Sequence, residues 1–184
     1  MRKIVAGTFI SLDGVMEAPD QWHFPYFDEA MGEAVAAQMA EADAMLLGRV
    51  TYEEFARFWP QQTAETPGAD FMNGVTKYVV STTLDHVDDW QNSTLIDGND
   101  FVAEMQRLKS MPGKNISVTG SAKLVQSLLR ERLLDELRLL VHPIVVGHGK
   151  RLLDGDMGQV PLELKECQAF ETGVLSLIYQ PAGR

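Results

Sequence analysis

The chain has 184 residues, 45% of them hydrophobic and 23% charged, with a net charge of −10. A chain of that size buries its own core as a single domain spanning residues 1–184, and its acidity excludes a broad nucleic-acid-binding face but not a local basic pocket. Cys167 is the lone cysteine, which excludes an intramolecular disulfide framework and a cysteine zinc site. No apolar run reaches membrane-span length, and a strand-like run begins almost at Met1, so a cytoplasmic protein without a signal peptide is expected.

In chain order, residues 3–10 read as a strand, and Ser11-Leu12-Asp13-Gly14 as a turn, since Asp-Gly tolerates positive φ. Residues 17–27 read as an irregular loop carrying Trp22, His23, Phe24, Tyr26 and Phe27. Residues 28–41 predict a helix capped by Asp28, with Met31, Val35, Met39 and Ala42 on one face. A short buried strand at 44–47 leads into a helix at 51–58, stopped before Pro60. Residues 61–74 read as loop, 77–81 as a strand, 82–91 as a polar connection and 93–96 as another strand. A helix is expected over 100–110, ended by Pro112-Gly113, then a strand at 115–118 and a helix over 123–131. Residues 134–146 form a long apolar run interrupted by His142-Pro143, Gly147–Gly149 forms a glycine turn, and residues 162–170 and 174–180 predict a hairpin. Strands alternating with helices, then strands alone, predict an α/β fold: a mainly parallel sheet with an antiparallel C-terminal end.

Three strand exits carry candidate chemistry. Gly48-Arg49-Val50-Thr51 opens a helix, where free backbone N–H groups and a partial positive charge attract anions. Thr51 adds a hydroxyl, and Arg49 a fork-shaped cation suited to phosphate. Ser81-Thr82-Thr83 places three hydroxyls past a buried strand, where open α/β sheets bind ligands. In Thr119-Gly120-Ser121-Ala122-Lys123-Leu124, small residues open a helix and admit a pyrophosphate close to the backbone. Each alone also fits an ordinary polar strand exit. Together, in a parallel sheet, they fall on one edge as a dinucleotide site, with Arg49, Thr51, Ser81, Thr82 and Thr83 at a 2′-phosphate and Gly120 to Leu124 at the pyrophosphate.

The substrate side rests on less. Asp13 lies near the same sheet edge and suits a hydroxyl or ring N–H, but it also suits a turn before Gly14. Asp28 could hold a protonated heterocycle, yet it also fits a plain helix cap. Trp22, in its aromatic cluster, offers a stacking face for a flat ring or a residue for core packing. The histidines show no metal-ligand spacing, and no metal is expected.

The order of motifs resembles the dihydrofolate reductase superfamily. The carriers are Ser-Leu-Asp-Gly, Leu-Gly-Arg-Val-Thr-Tyr-Glu, Lys-Tyr-Val-Val-Ser and Thr-Gly-Ser-Ala. With His142-Pro143-Ile144-Val145-Val146-Gly147-His148-Gly149, they resemble the branch built like the C-terminal reductase domain of bifunctional riboflavin-biosynthesis deaminase-reductases. The resemblance runs from about residue 2 to residue 180. It implies a three-layer fold, NADPH as hydride donor, and a small planar or ribosylamino-pyrimidine-like substrate. By motif match it puts Gly48, Arg49 and Thr51 at the adenosine-side phosphates, Ser81 and Thr82 near the 2′-phosphate, and Gly120, Ser121, Ala122, Lys123 and Leu124 at the pyrophosphate. Asp28 resembles, by rough position, the acid that holds the pterin ring in dihydrofolate reductases. A homodimer is expected by the same analogy. The family's glycine pair or triplet is here Gly-Ser-Ala, and the deaminase half, with its zinc motif, is absent. A pterin-type or other small-molecule reductase, or an NADP-binding regulatory module without turnover, also fits these residues.

Overall fold

Every strand in the middle of the sheet leaves in the same direction, so all their exits reach one edge. The computed structural model describes residues 1–183. Its eight strands are β1 (Ile4–Ser11), β2 (Ala42–Gly48), β3 (Thr76–Ser81), β4 (Ser93–Asp97), β5 (Asn115–Gly120), β6 (Glu136–His142), β7 (Leu162–Ala169) and β8 (Leu175–Pro181). They form one sheet in the order β4-β3-β2-β5-β1-β6-β8-β7. Pairings from β4 through β6 are parallel, and β8 is antiparallel to both β6 and β7. This is the mixed sheet with a C-terminal hairpin that the sequence pattern predicts.

The helices are α1 (Glu29–Ala40), α2 (Arg49–Phe58), α3 (Ala69–Gly74), α4 (Phe101–Ser110) and α5 (Ala122–Arg130). Strand alternation sorts side chains between two faces. Ile4 and Ala6 of β1, Leu46 of β2 and Ile116 and Val118 of β5 pack against Met105 and Leu108 of α4 and Leu124, Val125 and Leu128 of α5. On the other face, Met45, Leu47 and Val79 pack with Tyr52 of α2 and Met72 of α3. Phe9 and Leu140 on that face meet Met31, Ala34 and Val35 of α1. The result is three layers, with β2 buried on both sides as an interior parallel strand requires.

Local chemistry sets the boundaries. Asp28 caps α1, accepting from Met31 N–H at 2.8 Å, and Ser121 caps α5 through Leu124 N–H at 3.4 Å. Pro143 lacks the N–H needed to continue the ladder, so β6 stops at His142 and the strand within the 134–146 run is Glu136–His142. Residues 61–74, read as loop, contain α3; Ala69 and Met72 are its buried i, i+3 pair, too brief a period to register in sequence. Ala42, expected on the α1 face, is the first residue of β2. Edge strand β7 is largely exposed and carries Glu163, Lys165 and Glu166, charges that discourage edge-to-edge pairing.

One buried residue breaks the apolar pattern. Lys77 of β3 is fully buried, its ammonium donating to Val75 O at 2.9 Å, Gln91 O at 3.0 Å and Asn73 O at 3.3 Å, with the Trp90 ring centroid 4.3 Å away. It ties the end of α3 to the approach to β4, and burial pushes its pKa down to about 8.

Candidate active-site cleft

The register brings the expected strand exits together. Gly48 pairs with Val80 of β3, and Leu47 with Gly120 of β5, so the turns into α2 and α5 are neighbours and Ser81–Thr83 follows beside them. A β-carbon on Gly48 would stand 2.7 Å from Ser121 Oγ, and one on Gly120 would stand 2.9 Å from Thr51 Oγ1. The bare glycines therefore leave room for the Ser121 and Thr51 hydroxyls between the two helix entries, and a β-carbon at either would force a hydroxyl or a turn to shift. The N-terminus of α2 has no side-chain cap, which leaves its first N–H groups available to a ligand.

A cleft of about 1000 Å³ runs along this edge. Gly48 to Thr51, Ser81 to Thr83 and Gly120 to Leu124 all line it. It straddles the sheet. One arm reaches Val80, Phe101, Leu124 and Ser127 on the α4/α5 side. The other runs under α1 and α2, floored by Gly7, Phe9, Met45, Ser117, Thr119 and Leu140 and roofed by Val35, Gln38, Met39, Phe55, Trp59 and Met72. Single small-molecule sites occupy roughly 300–1,000 Å³, so a cleft of this size and shape accepts an elongated ligand and a second, smaller one.

Polar groups in the cleft differ in how free they are. The Arg49 guanidinium donates to both Glu53 carboxylate oxygens at 3.1 Å and remains half exposed. Ser81 Oγ accepts from Thr83 N–H at 3.1 Å and Leu84 N–H at 3.0 Å, so its acceptor role is largely used by its own turn. The Thr82 hydroxyl is exposed beside it. Ser121 is occupied as the α5 cap, while Lys123 lines the cleft with no salt bridge among the described residues. The lining carboxylates are Glu17, paired with Lys150 at 3.2 Å, and Glu54, exposed and without a basic partner among the described residues.

Asp13, Asp28 and Trp22, the residues expected on the substrate side, do not line this cleft. Asp13 accepts from Ser11 Oγ at 2.7 Å, Gly147 N–H at 2.9 Å and Val146 N–H at 3.0 Å, and stands 3.5 Å from Arg151. The Ser11 hydroxyl and those two amides hold its carboxyl well below the usual range. Its place in the structure is as the clasp of the 144–151 turn. Asp28 is engaged as the α1 cap. Trp22 is buried, donates from Nε1 to Glu17 O at 3.1 Å, and stands edge-on to His142 at 5.2 Å. The aromatic loop packs around two buried histidines: Phe9 stacks on His23 at 4.7 Å, and Tyr26 meets His142 at 5.9 Å. Burial lowers the pKa of both histidines, and His142 donates from Nδ1 to Leu140 O at 2.9 Å. This cluster holds one end of the 15–27 loop, whose Met16 to Pro19 form a wall of the cleft.

Sequence reasoning missed the floor and roof of the α1/α2 arm. Gln38 and Ser117 looked like ordinary positions on a helix and a strand, and Thr119 was read only as the residue leading into the Gly120 turn. The one available signal was Ser-x-Thr in an otherwise apolar central strand, two hydroxyls on the same face.

The RibD C-terminal domain family matches residues 2–176. The chain belongs to that family. Among its relatives, the uncharacterized protein YyaP of Bacillus subtilis (strain 168) is 27% identical, over 97% of this chain and 94% of the relative. Three solved structures share the fold. A protein assigned to riboflavin biosynthesis in Shewanella sp. PV-4 superposes with a TM-score of 0.75 at 18% identity, covering 98% of this chain and 99% of that one. The Thermotoga maritima diaminohydroxyphosphoribosylaminopyrimidine deaminase/5-amino-6-(5-phosphoribosylamino)uracil reductase gives 0.68 at 13%, covering 98% of this chain but 57% of that one. Enterococcus faecalis dihydrofolate reductase complexed with NADP(H) gives 0.66 at 13%, covering 98% and 97%. The dihydrofolate-reductase-like architecture expected from the motif order is the one observed.

Proposed function

We propose that the chain is an NADPH-dependent reductase acting on a small planar heterocycle of the ribosylamino-pyrimidine class. The observation that carries this reading is the close pair of helix entries at Gly48 and Gly120, one of them uncapped, opening into a cleft with an arm on each face of the sheet. The match to the RibD C-terminal domain family and the fold shared with an NADP(H)-complexed reductase support it.

In this reading the backbone of Gly120 to Lys123 holds the pyrophosphate, Thr51 and the free α2 amides hold the neighbouring phosphate, and Arg49 with Thr82 holds the 2′-phosphate. The α4/α5 arm takes the adenosine, and Val80, Phe101 and Leu124 supply its apolar wall. NADPH supplies a hydride when bound; the chain supplies placement, a water-poor floor and the substrate contacts. Phe9, Leu140, Met39 and Phe55 give the α1/α2 arm flat apolar surface for a ring. Glu54, exposed and lining the cleft without a basic partner among the described residues, is the acid this reading assigns to return a proton to the reduced substrate. The exposed Leu164 and Leu175 of the β7/β8 hairpin support a homodimer, which light scattering tests directly.

The deciding experiment is a fluorescence titration with NADPH and NADH, followed by absorbance measurements with candidate heterocycles. Tighter NADPH binding with oxidation by one substrate class is expected. NADPH binding without turnover by any of them replaces the reductase with a regulatory module, and failure of NADPH to bind refutes the site.

A further inference from the structure

The floor of the α1/α2 arm has an unusual polar complement. The Gln38 side chain leans from α1 across the cleft onto β1, so close over Gly7 that a β-carbon there would overlap its amide. Only a glycine admits the amide at that point of the strand. The register places Ser117 opposite Val5 on β5, and Thr119 two residues further along the same face, beside the strand that carries Gly7. The Gln38 amide and the Ser117 hydroxyl make no side-chain hydrogen bond within the described residues, and Thr119 Oγ1 is buried without a partner. Apolar side chains surround them: Phe9 and Leu140 on the sheet, Val35 and Met39 on the helix.

Buried polar groups are nearly always hydrogen-bonded, and leaving one unpaired costs on the order of 1–3 kcal/mol. Thr119 Oγ1 is such a group; the half-buried Gln38 amide and the Ser117 hydroxyl line the same cleft unpaired among the described residues, and the three together form a recognition set for something that enters it. The set is uncharged. The ionic residues of the cleft, Glu17, Arg49, Glu54, Lys123 and Lys150, come from its mouth or from helix entries and not from this floor. Burying a charged ring against it would leave the charge without a counter-ion. A primary amide presents one donor and one acceptor side by side, which matches the adjacent N–H and C=O of a lactam in a bidentate pair. A protonated aminopyrimidine edge offers donors only and calls for a carboxylate.

We infer that Gln38 is the specificity-determining residue of the substrate arm, reading an uncharged lactam edge of the substrate ring, with Ser117 and Thr119 completing the contact. The inference rests on the reductase reading above, because it takes that arm to be the substrate's. It gives Gly7 a purpose, which is to seat the amide, and it explains why neither Asp13 nor Asp28 is needed in the cleft.

The test uses the full chain saturated with NADPH and two probes, 6-aminouracil for the neutral lactam and 2,4-diaminopyrimidine for the cationic ring. Binding is read by calorimetric titration and thermal shift in the wild type, Gln38→Leu and Gln38→Glu. The wild type should prefer 6-aminouracil by about tenfold or more, the worth of two hydrogen bonds. Gln38→Leu should lose most of that affinity, and Gln38→Glu should reverse the order of the two probes. An unchanged preference in Gln38→Glu, undiminished lactam binding in Gln38→Leu, or binding of neither probe by the wild type overturns the inference. NADPH titration of each variant separates the two readings. Loss of NADPH binding by the wild type would remove the reductase reading itself, whereas intact NADPH binding with no probe discrimination removes only the role of Gln38.

Discussion

Arg49→Ala is the sharpest test of the cofactor assignment. The guanidinium already shares its charge with Glu53 at 3.1 Å, on a half-exposed helix turn. Binding a phosphate must therefore compete with that pair, which as an exposed i, i+4 contact is worth only about 0.3–0.5 kcal/mol. A hydrogen bond from a charged donor to a phosphate contributes about 1.5–3 kcal/mol. The net loss on removing Arg49 is then about 1–2.5 kcal/mol, or roughly a 5- to 60-fold weaker Kd for NADPH. NADH lacks the 2′-phosphate and should change less than about twofold on the same reasoning. Glu53→Gln releases the guanidinium from its competitor and should tighten NADPH by about twofold. Nicotinamide fluorescence titrations at one fixed ionic strength read all three values. Equal weakening of NADPH and NADH by Arg49→Ala, or no weakening of either, refutes a 2′-phosphate role for this residue.

Gly48→Ala should push the α5 entry away, since its β-carbon would meet Ser121 Oγ at 2.7 Å. We expect about tenfold weaker binding of NADPH and NADH alike, with partial recovery in Gly48→Ala/Ser121→Ala; wild-type affinity in the single variant would show that the two turns do not act together. Lys77 binds fewer protons folded than unfolded between its folded value of about 8 and the ordinary value of 10.5. Stability should therefore rise with pH across that window, by at most about 3 kcal/mol, and denaturant titrations of Lys77→Met should lose the rise. His23 and His142 are both shifted downward, so the unfolded chain takes up protons first as pH falls through about 6.5. The histidine contribution to stability should be level above that point and fall below it, and His142→Phe should flatten the fall in melting curves taken below neutral pH; an identical pH profile there would rule out the buried imidazole as its source.

What the sequence determined lies in short-range chemistry. Asp28 announces a helix start because a capping oxygen needs only the next three residues. Pro143 ends β6 for an equally local reason, and the apolar run through Leu46 and Leu47 marks an interior strand. The strand exits that line the cleft were legible for the same cause. A strand exit, a glycine and a helix entry form an anion site within four or five residues, and parallel strands put such exits on one edge. α3 escaped notice because six residues carry too little periodicity.

Tertiary structure alone decided the rest. Asp13 has the chemistry of a substrate ligand, but residues more than 130 positions away supply the amides that occupy it. Trp22 has the face for stacking, and the fold turns it onto His142. Gln38 and Gly7 lie thirty-one positions apart and become neighbours only when α1 lies back across β1. Local sequence fixes which groups are available. Long-range packing determines which of them are consumed by the fold and which are left facing the cleft, because a hydrogen-bonding group free in the chain is free in the protein only if no distant backbone reaches it first.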